Sequence, residues 1–116
     1  RDRNRGGIEA AQSDALAGEA ALAQARLNAR RAQHDARMLL GAADARVEAL
    51  SGPSLAQAEE AVRLARIGYG AGKFGLLELL DAQAALTTAK TALIEARLDR
   101  ARALAALIRA NARAGD

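Results

Sequence analysis

The chain has 116 residues, 33 of them alanine, with one Phe, one Tyr, no Trp, no Cys and a formal net charge of +3. So few aromatic side chains put a thick globular core out of reach, so thin, closely packed elements are expected. Without cysteine there is no disulfide, thiolate metal site or cysteine nucleophile. The modest charge, spread along the sequence, argues little for nucleic acid or an anionic membrane surface.

Ala, Leu, Arg, Glu and Gln dominate and there is a single Pro, so the chain is read as all-α. No apolar run approaches the roughly 20 residues that a bilayer-spanning helix needs. The start, Arg1-Asp2-Arg3-Asn4-Arg5, is no signal peptide, and a chain opening without Met reads as an internal fragment. In chain order, residues 1–6 precede a long helix predicted over 7–68. Its three-four spacing of small apolar residues runs from Ile8, Ala11 and Ala15 to Ala36, Leu39, Ala43, Arg46 and Leu50, and only Arg46 breaks it. Such a seam, sustained over six heptads, marks a coiled coil, and its alanines let two backbones approach closely.

Ser51-Gly52-Pro53 interrupts the spacing, which predicts a kink or break at 51–53, with Ser54 and Gln57 able to cap the next helical segment. The seam then resumes through Leu55, Ala58, Val62, Ala65 and Tyr69, supported on the outer side by Glu59 and Arg63. Four glycines between residues 68 and 75 predict a reversal, a tip turn over 69–75. A returning helix over 76–113, with a tail at 114–116, completes a long antiparallel coiled-coil hairpin. Its arms are unequal, roughly 90 Å and about 57 Å at 1.5 Å per residue. About 25 residues of seam are left uncovered, so the isolated fragment should self-associate or fold back at 51–53.

The returning helix carries two apolar seams, one through Leu77, Leu80, Ile94, Leu98 and Ile108, the other through Leu79, Leu86, Leu93, Ala96 and Leu107. Two seams imply two neighbours, as in a bundle or a closed ring of helices. A third, wet face holds Glu78, Asp81, Glu95, Asp99, Arg102 and Arg109.

Candidate chemistry is sparse. Glu78 and Asp81, at i and i+3 beside the turn, either stabilise the helix start or, repeated round a ring, crowd negative charge at an aperture. His34 has no spaced partner for a metal, so no metal site and no cofactor are assigned. Gly70-Ala71-Gly72-Lys73 only superficially resembles a phosphate loop, for no strand precedes it and no Ser or Thr comes after the lysine. Tyr69 and Phe74 are too few to stack nucleic acid and are expected to pack at the tip. No triad-like spacing suggests an enzyme.

The run Tyr69-Gly70-Ala71-Gly72-Lys73-Phe74-Gly75-Leu76-Leu77-Glu78-Leu79-Leu80-Asp81-Ala82-Gln83 resembles the tip motif of TolC-like outer-membrane efflux proteins. That pattern is tyrosine, two variable positions, glycine, then a leucine-rich stretch ending in Leu-Asp-Ala. Asp2-Arg3-Asn4-Arg5-Gly6 resembles the family's passage from a β-strand pair into a long periplasmic helix. The likeness covers nearly the whole chain and about one of the family's two internal repeats, the second. It implies a hairpin of a trimeric periplasmic α-barrel, joined to the outer membrane of a Gram-negative bacterium through parts absent here. It also implies a periplasmic adaptor and an inner-membrane pump as partners. Glu78 and Asp81 match the acidic aperture positions, with Glu where many relatives have Asp, and Tyr69, Gly72, Lys73 and Phe74 match the adaptor-contacting tip. The Gly-Lys-Phe-Gly wording is most like the heavy-metal cation branch, so the implied cargo is metal cations or small toxic compounds. A soluble scaffolding coiled coil is the alternative, and a basic nucleic-acid binder a third class.

Overall fold

A computed structural model describes residues 2–115. Three helices succeed one another: α1 over Asp2–Ser51, α2 over Pro53–Gly70 and α3 over Leu76–Gly115. No strand occurs among the described residues. The all-α hairpin expected from composition and spacing is therefore the fold.

The long arm is α1 and α2 set end to end. At 1.5 Å per residue, 2–70 should reach about 104 Å if straight, and the longest dimension is 104 Å, with 20 and 13 Å across. The chain therefore does not fold back at 51–53. The interruption is the single residue Gly52, at φ −89° and ψ −133°, because Pro53 disfavours helical angles in its predecessor. Pro53 sits at the first position of α2, where its missing N–H costs nothing. Ser54 does not cap; no side chain does, and the Gly52 carbonyl accepts from the Leu55 N–H at 3.2 Å.

Helix α1 already runs through residues 2–6, ahead of the expected start at 7. Against α3 its seam uses Ala29, Gln33, Ala36, Leu40, Ala43, Val47 and Leu50. This shares every second position with the expected spacing but replaces Ala32, Leu39 and Arg46 by the residues next in sequence. The shift has a physical reason: Val47, 8% exposed, fills the seam where Arg46 could not. Val47, Leu93 and Ala96 form the core cluster, with Leu50 and Leu55 packed on it from either side of the break. Ala96, 1% exposed, is the most deeply buried residue of this cluster.

Two interhelical ion pairs flank this point, Arg46 to Asp99 at 3.4 Å and Arg100 to Asp44 at 3.8 Å. Asp44 and Arg46 are two residues apart, about 200° round the helix, so the pairs pin opposite edges of the seam. Exposed pairs contribute at most about 1 kcal/mol each; they set register more than stability. On α2, Arg63 pairs with Glu60 rather than Glu59. The Arg63 hydrogen bond holds the Glu60 carboxyl below its ordinary range. Along α3 the packed seam is the one through Leu93, Ala96, Leu107 and Ala110, while Leu77, Leu80, Ile94, Leu98 and Ile108 all stay exposed.

Because α3 is the shorter arm, it ends beside Ala29 and Gln33, whose amide donates to Asn111 Oδ1 at 3.0 Å. Residues 2–28 are exposed throughout, and those before Leu22, about 30 Å of helix, lie beyond the last residues of α3.

Candidate functional site

The tip joins α2 to α3 through residues 71–75. At the end of α2 the Ala71 N–H donates to the Ile67 carbonyl and the Gly72 N–H to the Tyr69 carbonyl, both at 3.0 Å. Gly72 then takes φ +74°, the left-handed conformation by which glycine ends helices without a Cβ clash. The chain next folds onto Gly68, whose carbonyl accepts from the Lys73 N–H at 2.7 Å and the Phe74 N–H at 3.1 Å. On the far side, the Gly75 N–H donates to Glu78 Oε2 at 2.9 Å. A side chain three residues into a helix reaching back to the capping residue is half of a capping box, and it satisfies a donor the helix leaves orphaned.

Gly68, not Tyr69, is the last buried residue of the α2 seam. The Phe74 ring lies directly over it, and a Cβ at residue 68 would collide with that ring. Tyr69 is displaced outward and is 46% exposed, close to the 45% of Phe74. The glycine count identifies the turn, but nothing in the spacing singles out Gly68, because a heptad extrapolation lands on residue 69. The ring-on-glycine contact is a tertiary fact.

Of the residues expected to carry function, Tyr69, Gly72, Lys73 and Phe74 are gathered within this one turn and all are exposed. With Leu76, 51% exposed, and Leu77, 70% exposed, they give the tip an apolar surface carrying one lysine. Glu78 and Asp81 come next, on the first turns of α3, both exposed. The helix-start reading applies to Glu78, whose carboxylate is engaged with Gly75, whereas Asp81 takes part in no ion pair among the described residues. His34 is exposed on α1, and among the described residues no three of His, Cys, Asp and Glu come together.

A model of the outer membrane efflux protein family matches residues 1–113, nearly the whole chain. The chain belongs to that family. Searches of curated proteins and of solved structures find no match. As an outer membrane efflux protein, the hairpin is a component of a channel and transport family rather than an enzyme family. No helix among the described residues is long and apolar enough to cross a membrane.

Proposed function

We propose that this hairpin is a wall stave of the periplasmic α-helical duct of a trimeric outer-membrane channel. In a tripartite system with a periplasmic adaptor and an inner-membrane pump, it conducts metal cations or small toxic compounds. The observation that carries this reading is α3 itself. One apolar seam is packed in the hairpin; the other, about 180° round the helix, is open and keeps Ile94 65% and Ile108 61% exposed. Thr87, in that open seam, donates its hydroxyl to the Gln83 carbonyl at 3.0 Å, so covering the seam would not strand that hydroxyl. A lone hairpin has no use for a second seam, and a closed ring of helices does.

In this reading the exposed tip, with Tyr69, Gly72, Lys73 and Phe74, meets the adaptor. Glu78 and Asp81 line the aperture, where repetition round a three-fold ring would concentrate carboxylates and favour cations. The branch that exports heavy-metal cations is the one the tip wording resembles.

Two measurements on the full-length protein test this. Chemical cross-linking should trap trimers, and a monomer at every protein concentration would overturn the duct. In reconstituted bilayers, Glu78→Ala with Asp81→Ala should lower cation-over-anion selectivity by roughly tenfold, because removing charge from a ring alters the local potential by about 1 kcal/mol or more per permeating ion. Unchanged selectivity and leak would remove the aperture assignment and leave the stave standing.

A further inference from the structure

The fold brings together two arginine-bearing stretches more than 60 residues apart in sequence. Around the end of the short arm, α1 contributes Arg26, Arg30, Arg31 and Arg37 and α3 contributes Arg109 and Arg113, with Asp35 the one carboxylate in residues 26–37 and 103–113. None of the six makes an ion pair among the described residues. On the tip side the collar is bounded by Arg100 and Arg102, which are tied to Asp44 and Asp99. On the other side, residues 6–25 hold Glu9, Asp14 and Glu19 and no cation at all. The net charge of the chain, modest as a total, is thus concentrated in one band of the rod.

The collar is also shaped. Arg26, Arg30 and Arg113 rim a hollow of about 330 Å³ floored by Leu22, Ala25 and Ala29. A second, of about 280 Å³, lies between Ala32, Leu39 and Ala106, with Arg109 and Arg113 at its edge and Asp35 as its one carboxylate, outnumbered by the two guanidinium groups. Guanidinium groups around small apolar floors suit a ligand that alternates carboxylates with apolar side chains. All six cations are arginine, whose planar fork grips a carboxylate with two parallel hydrogen bonds where lysine offers a point charge.

We propose that this arginine collar is a docking surface for an acidic peptide segment of another envelope protein. Family membership places the chain in the cell envelope, away from nucleic acid. A bilayer surface fits less well than a peptide. Arg26, Arg30 and Arg37 lie within about 40° of one another on α1 while Arg31 points about 100° further round, so the cations surround a rod and form no plane. The proposal stands on the family and the fold, and not on the aperture reading.

Labelled poly-L-glutamate is the probe, titrated by fluorescence anisotropy against the whole 116-residue chain at about 0.1 M salt, where charges act over about 10 Å. Arg26→Gln, Arg30→Gln, Arg109→Gln and Arg113→Gln together should weaken binding roughly 30-fold, each exposed pair counting for a few tenths of a kcal/mol or more. Arg66→Gln with Lys90→Gln, which removes two cations outside the collar, should leave it within about twofold. Glutamine is a good helix former and all four sites are exposed, so helicity should hold. If the quadruple variant loses helicity, Arg30→Gln with Arg113→Gln carries the test, with an expected loss of roughly fivefold. Equal affinity of the collar variants and the parent would overturn the proposal. So would phosphatidylglycerol vesicles bound as tightly as the peptide through the same four arginines.

Discussion

Ile94→Glu combined with Leu98→Lys is expected to abolish assembly of the full-length channel while leaving the hairpin folded. Both residues stand on the open seam of α3, Ile94 65% and Leu98 49% exposed, so neither contributes much to the contact with α1. The replacements are good helix formers, and Glu four residues before Lys adds a favourable pair on the helix surface. The isolated chain should keep its helicity, with a change in stability within about 0.5 kcal/mol. In a ring the same two positions are buried against the next stave. Each loses about 1.5–3 kcal/mol of apolar burial and sets a charge against an apolar partner, and the loss recurs in every subunit. Cross-linking and native mass measurement should then find monomers where the parent gives trimers. If the isolated parent chain self-associates through this seam, light scattering should show the variant as the smaller species. Trimers of normal stability would mean the open seam faces solvent in the channel, and the stave reading would fall.

The parts of this structure that can be read from sequence are those set by local spacing. The three-four repeat of small residues, the Ser51-Gly52-Pro53 interruption and the glycines of the tip each act within a few residues, through backbone angles and helix periodicity. Choosing between two adjacent stripes is different, since it depends on which neighbour is present. On spacing alone Ala32, Leu39 and Arg46 serve as well as Gln33, Leu40 and Val47; the position of α3 decides, by putting Val47 opposite Leu93 and Ala96. The recap expected from Ser54 fails because Pro53 already occupies the first helical position and leaves one donor fewer to satisfy. The arginine collar is invisible in the sequence for a related reason: a charge spread along the chain can converge once the chain doubles back, and here Gln33 lies beside Asn111. At the tip, glycine number signals the turn, whereas the particular duty of Gly68 comes from Phe74, six residues on, folding over it.

That contact supports a second sharp expectation, a coupling between residues 68 and 74 that reverses the usual effect of glycine in a helix. Gly68 is inside α2 and buried, where Gly→Ala ordinarily stabilises by about 0.5–1 kcal/mol. Here the new methyl would occupy the space of the Phe74 ring. The ring must swing out and give up its packing. Phe74 is already 45% exposed, so roughly half the burial of a Phe side chain is at stake, about 1–1.5 kcal/mol. The two effects nearly cancel, and Gly68→Ala alone should be neutral or slightly destabilising by thermal melting. In a Phe74→Ala background the obstacle is gone, and the same substitution should raise stability by about 0.5–1 kcal/mol, several degrees in Tm for a chain of this size. The double-mutant cycle therefore predicts a coupling of about 1–1.5 kcal/mol. Phe74→Ala should also loosen the two N–H groups that converge on the Gly68 carbonyl, and faster amide exchange at Lys73 and residue 74 would report it. If Gly68→Ala stabilises equally in both backgrounds, the ring does not lock the tip. The apolar surface of the tip would then be held by Gly72 and the Gly75–Glu78 cap alone.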